Sequence, residues 1–114
     1  MRQKQELKPV KKVWVVGCDV DQYAEGLMPN GSSIILTSAM KYLATAAYDM
    51  IKDELNGNFV GGRSLLLSAK EDGVGIPASN PNLSADVQKT VDSIAAKIKS
   101  GEIMVSAEQG SLFK

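Results

Sequence analysis

Residues 13–22 read Val13-Trp14-Val15-Val16-Gly17-Cys18-Asp19-Val20-Asp21-Gln22, and the fold class turns on them. The first six are apolar and rich in β-branched side chains, with lysines before them and an aspartate after. A short apolar run without alternation predicts a strand buried on both faces, as in a parallel sheet under helices. Asp19 then stands just beyond the carboxyl end of that strand. In open α/β sheets ligands bind outside the carboxyl ends of the strands, so an acid there faces the usual site. A carboxylate accepts two hydrogen bonds at once, which suits the paired hydroxyls of a sugar ring. The plainer role for Asp19 or Asp21 is to satisfy loop amides through an Asx turn.

Downstream, two aspartates, a proline and the Asn30-Gly31 pair give residues 19–31 the chemistry of a loop. Ser33-Ile34-Ile35-Leu36-Thr37 reads as a second buried strand. Ser38 is a good N-cap, so a helix is expected from there to about Leu55, with Met40, Leu43, Ala47, Met50, Ile51 and Leu55 as its apolar stripe. Asn56-Gly57 supplies the stop. On this reading Lys41 falls in the first helical turn, where a cation opposes the dipole by ~0.3–1 kcal/mol. Something anionic or polar beside Lys41 would compensate, making it a second candidate site residue; the plainer reading points it into water. Tyr42 and Tyr48 are expected to pack on the helix rather than stack on a base.

From Phe59 the periodicity changes. Arg63 to Ser68 predicts a strand around Leu65-Leu66-Leu67, and Glu71-Asp72-Gly73 predicts a hairpin turn into Val74-Gly75-Ile76. Pro77 and Pro81 bracket a polar loop. Ser84 caps a second helix, with Asp86 in its first turn, the stripe Val87, Val91, Ile94, Ala95 and Ile98, and Gly101 as its end. Ile103-Met104-Val105 is expected to add a last strand. The class is α/β, with two helices and about five short strands.

Composition narrows the function. The chain has 114 residues, enough for one domain, and 13 basic side chains balance 13 acidic ones. Nucleic acid as main partner is disfavoured, because phosphate binding needs a basic excess. There is no histidine and one cysteine, Cys18. Zinc fingers, histidine metal sites, Ser-His-Asp triads and internal disulfides are thereby excluded, and no cofactor or metal is expected. No apolar window reaches the ~20 residues of a membrane span. Residues 1–12 carry five positive charges and one negative, and the remainder eight against twelve. That basic start looks like a signal-peptide n-region, but Val13 to Cys18 is too short an apolar stretch to follow it. The expectation is a solvated basic tail over 1–12, no signal peptide in this chain, and an α/β domain over 13–114.

Catalytic and metal motifs mostly fail. Asp19-x-Asp21 begins like a calcium loop, but Tyr23 and Ala24 occupy positions that need a ligand and a glycine. Gly73-x-Gly75 has no helix after it and is not a phosphate loop. The sequons Asn30-Gly31-Ser32 and Asn82-Leu83-Ser84 are explained by turn and capping chemistry.

The stretch from Val13 to Gln22, followed by Ile35-Leu36-Thr37-Ser38-Ala39-Met40-Lys41, resembles the basic membrane lipoprotein family. The similarity continues through Ala47-x-x-Met50-Ile51, Gly73-Val74-Gly75-Ile76 and Lys99-Ser100-Gly101-Glu102-Ile103. These are solute-binding proteins of ABC importers and include purine nucleoside receptors. The resemblance covers almost everything after residue 12 and about the last third of the family's two-lobed receptor. Cys18 departs from the small aliphatic residue usual before the aspartate.

The resemblance implies a partial periplasmic-binding-protein type I fold, Rossmann-like, completed by oligomerisation or element exchange. It implies no enzyme activity and an extracytoplasmic, membrane-anchored intact receptor that meets a nucleoside and an ABC permease. Asp19 would bind ribose hydroxyls, Lys41 would reach the ligand, and Asp21 is a weaker candidate. The strand before Asp19 and the helix after Ser38 would belong to different lobes. A homodimer is the simplest way for such a chain to cover its apolar faces. The competing function is a non-catalytic oligomerisation or interaction domain that has lost its ligand. Leu27-Met28-Pro29-x-Gly31 and Ile35 to Ala39 also echo a receiver domain, but no helix fits between those segments.

Overall fold

The computed structural model describes residues 11–108 and 110. Three strands and two helices form in the order β1 (Val15–Asp19), β2 (Ile35–Lys41), α1 (Leu43–Leu55), β3 (Val74–Gly75), α2 (Ala85–Ser100). A 3-10 turn at Tyr23–Gly26 lies between β1 and β2. The sheet runs β1-β2-β3: β1 is parallel to β2, and β3 is antiparallel to it. The class is α/β, as expected.

The 3-10 turn packs against the sheet through two glycines. A Cβ on Gly17 would collide with Ser38 Oγ and lie 2.9 Å from the Gln22 side chain. One on Gly26 would press on Ile35 and sit 2.7 Å from Ser33 Oγ. Ser33 and Ser38 are fully buried, and their hydroxyls serve the loop: Ser38 Oγ accepts from Gln22 N at 3.0 Å, and Ser33 Oγ donates to Tyr23 O at 2.7 Å. Ile35 is buried beside them, as is Pro77.

Ser38 therefore corrects the expected helix start. Its hydroxyl is committed to Gln22, and pairing with β1 as far as Met40 and with β3 at Lys41 carries the strand on. The second strand is Ile35–Lys41 rather than 33–37, and α1 begins at Leu43 after Tyr42, which makes no side-chain cap bond. Asn56-Gly57 ends α1 as expected, with Gly57 at φ 70°. The second helix follows its expectation closely: Ser84 Oγ accepts from Val87 N, Asp86 lies in the first turn, and Gly101 at φ 83° closes it.

Two expected strands are absent among the described residues. Leu65, Leu66 and Leu67 are exposed and unpaired, because the segment Ser68–Gly73 turns through Gly73 N to Ser68 O and delivers Val74 to β2 instead. A hydrophobic run becomes a strand only where an edge is free to bond it. Ile103–Val105 likewise finds no partner: Ile103 N turns back to Lys97 O. Of the expected tail over 1–12, only Lys11 and Lys12 are described, and Lys12 Nζ sits 3.9 Å above the Trp14 ring.

Neither helix buries a residue. Leu43, Ile51 and Leu55 of α1 are all more than 60% exposed, so most of the stripe that its spacing marks for a core faces outward, with Met50 half-buried.

Candidate functional site

β1 and β2 end side by side because they are parallel and in register, Cys18 opposite Ala39 and Asp19 opposite Met40. That register brings the two candidates read from the sequence into contact. Lys41 Nζ lies 2.9 Å from Asp19 Oδ1, with both side chains more than half exposed. Lys41 is thus at the end of a strand rather than in a first helical turn, and the anionic group that its position called for is Asp19.

Asp19 has φ 70°, the left-handed conformation that aspartate tolerates better than most residues. The hydrogen bond from Lys41, and then its charge, hold the Asp19 carboxyl below its ordinary 3.8, and the same pair raises Lys41 above 10.5. The Cys18 thiol approaches the same carboxylate oxygen at 3.8 Å. Cys18 N donates to Gln22 Oε1 at 2.8 Å, steadying the turn out of β1.

Asp21 takes a different role. Its Oδ1 accepts from Tyr23 N at 3.1 Å, the Asx-turn bond that was the plainer reading for it. It also lines an open cleft of about 500 Å³ with Met40, Tyr42, Ile76 and Pro77–Ser79.

Three residues at this end of the sheet have roles that the sequence reading did not assign. Tyr42 donates from its hydroxyl to Ile76 O at 2.8 Å and packs against Gly75, where no side chain would fit. It braces the cleft rather than a helix face. Asn80 accepts from the Thr37 hydroxyl at 2.7 Å, and Asn82 donates to Ile35 O at 2.7 Å. Their flanking of Pro81 was the available sign, because proline brings no N–H and a neighbouring amide side chain can replace it. Among the described residues no cluster of acids, cysteine or histidine could hold a metal ion.

A family model described as ABC transporter substrate-binding protein PnrA-like (Bmp) matches residues 1–109. The chain belongs to this family. Proteins named CD4+ T-cell-stimulating antigen from Listeria monocytogenes and from Listeria innocua are each 33% identical to it over 101 residues, covering 85% of this chain and 28% of theirs. A crystal structure of an ABC transporter solute-binding protein from Aeropyrum pernix superposes with a TM-score of 0.53 at 27% identity, over 85% of this chain and 34% of that one. The Bmp chain thus spans under a third of the length of those curated relatives, and its α/β architecture is a portion of a solute-binding-protein fold. The family supplies the substrate-binding component of ABC transporters. No helix among the described residues is long and apolar enough to cross a membrane.

Proposed function

We propose that this Bmp chain is part of a nucleoside-binding receptor of an ABC importer, with Asp19 accepting sugar hydroxyls and Lys41 engaging the same ligand. The observation that carries the reading is the Asp19–Lys41 pair at the carboxyl ends of adjacent parallel strands, where open α/β sheets bind ligands. The two groups satisfy each other while remaining open to solvent, so a polyol can insert between them with little desolvation. Asp19 also holds a backbone conformation that costs free energy, a trait that concentrates at binding sites. Asp21 plays a lesser part, since its carboxylate already serves Tyr23 N. No catalytic step is assigned. The intact receptor works outside the cytoplasm as a lipid-anchored protein, with residues 13–114 as part of its α/β body.

On the same reading the chain is a homodimer when alone, because the apolar face of α1 has no covering element among the described residues. That face also supports the second reading, an interaction module without ligand. A receiver domain is not supported: only a 3-10 turn lies between β1 and β2.

Calorimetry on Asp19→Ala in the intact receptor, with inosine and hypoxanthine, separates the readings. Loss of a charge-assisted bond to the sugar is expected to cost inosine about 1.5–3 kcal/mol and hypoxanthine much less. Equal losses for both, or no affinity in the unaltered receptor, would refute the nucleoside assignment.

A further inference from the structure

β2 has β1 along one edge, and along the other it has β3 only at Met40 and Lys41. Below that pair the second edge has no strand, yet it is not bare. Ile34 O points toward β1, where it accepts from Val15 N, so the flanking carbonyls of Ser33 and Ile35 point the other way. Both are taken by one side chain: Asn82 Nδ2 donates to Ser33 O at 3.1 Å and to Ile35 O at 2.7 Å. One step further up, Asn80 Oδ1 accepts from the Thr37 hydroxyl at 2.7 Å. The segment from Val74 to Asn82 therefore runs back antiparallel along the whole of β2. It bonds first through its backbone and then through asparagine amides.

The sequence explains the change of partner. Pro77 and Pro81 have no N–H to offer an edge, and residues next to a proline are held extended. Asn80 and Asn82 flank Pro81 and provide amide groups from their side chains instead. Asn80 is fixed in turn, its Nδ2 donating to Pro77 O at 2.6 Å and Gln88 Oε1 at 3.2 Å. The sequon Asn82-Leu83-Ser84 is thus spent on structure: Asn82 closes an edge and Ser84 caps α2.

We propose that Asn80 and Asn82 are positioning residues for the Asp19–Lys41 site, replacing a strand along β2 and fixing the register that seats Val74 beside Lys41. A two-residue strand such as β3 is too short to hold its own register. The asparagines fasten the segment at its far end, so Val74 stays opposite Lys41 and Ile76 stays under the Tyr42 hydroxyl. The inference rests on the reading of Asp19 and Lys41 as the ligand pair.

The test uses the full chain with two size-conserving variants. Asn82→Asp removes the donor and sets an acceptor against two carbonyls, while Thr37→Val removes the hydroxyl that meets Asn80. Amide exchange is followed residue by residue, together with the NMR titration of the Asp19 carboxyl. The expected result is exchange at Tyr42, whose N–H donates to Gly73 O, accelerated about tenfold or more in both variants, with the β1 amides unchanged. The Asp19 midpoint is expected to move up toward its ordinary value. Unchanged exchange at Tyr42, or acceleration spread evenly over the sheet in both variants, would overturn the proposal. Inosine titrated into the unaltered chain and receptor tests the ligand reading separately, because neither exchange nor the carboxyl titration requires a ligand.

Discussion

Asp19 and Lys41 lie 22 positions apart in sequence, and the parallel register of β1 on β2 closes that distance to a 2.9 Å ion pair at the lip of the sheet. The pairing makes each residue's chemistry depend on the other, and the first two predictions follow from it.

Asp19 has a lowered pKa in the folded chain, so its contribution to stability is present above 3.8 and is lost as pH falls through the folded value. Lys41 has a raised pKa, so its contribution is present below 10.5 and is lost as pH rises through its folded value. Between those limits the pair is intact. Because it is exposed, added salt should weaken it. NMR of the Asp19 carboxyl at low salt and at 1 M salt is expected to show the lowered midpoint drifting back toward 3.8.

Replacing Lys41 by glutamate sets two carboxylates together. The Asp19 midpoint is then expected to rise above 3.8 rather than lie below it, and nucleoside affinity in the intact receptor is expected to vanish. Lys41→Met, which removes the charge without adding a like one, should return Asp19 to an ordinary midpoint with little change in melting temperature. Unaltered nucleoside affinity in both variants would return Lys41 to an ordinary surface residue.

Gly17→Ala tests the seam between the 3-10 turn and the sheet. The new methyl would meet Ser38 Oγ and the Gln22 side chain, and any escape breaks the bond from Gln22 N to Ser38. The expected cost is about 1–3 kcal/mol, read from denaturant unfolding. Gly31→Ala, where a Cβ meets nothing within 4 Å but φ is 80°, separates packing from backbone strain.

Self-association tests the exposed helix. Burying Leu43, Ile51 and Leu55 in a partner would gain about 1.5–3 kcal/mol for each side chain. Light scattering on the chain is expected to give a dimer at micromolar concentration, and Ile51→Asp with Leu55→Asp a monomer. A stable monomer of the unaltered chain would refute the homodimer.

What the sequence made legible was whatever is decided locally. Ser84, Asp86 and Gly101 bracket α2 through neighbours three or four residues away, and all three act as read. Asp19 was legible because an acid directly after an apolar strand needs no knowledge of the partner strand. The Ser38 cap misled because the same hydroxyl suits a helix start and a loop amide, and Gln22 lies 16 positions away. Leu65–Leu67 misled for a related reason: a short apolar run describes what a strand could be, whereas a free edge decides whether it forms. Lys41 was singled out on a premise about the helix dipole that the structure replaces, although the need for an anionic neighbour survives the change of element. Asn82 was read only as part of a sequon, and Asn80 was not singled out within its polar loop, since their partners on β2 lie more than 40 positions back.

Tyr42 alone stands between the last residue of β2, Lys41, and the first residue of α1, Leu43. Its phenol is tied to Ile76 and its backbone N–H to Gly73, so the junction is held at two points rather than free to swivel. On the proposed reading of Asp19 and Lys41 as the ligand pair, occupancy at the lip of the sheet and coverage of the helix would share this one joint, and linkage would work in both directions. Any free energy that covering α1 draws through Tyr42 would return, in equal amount, as a change in ligand affinity at the proposed Asp19–Lys41 site.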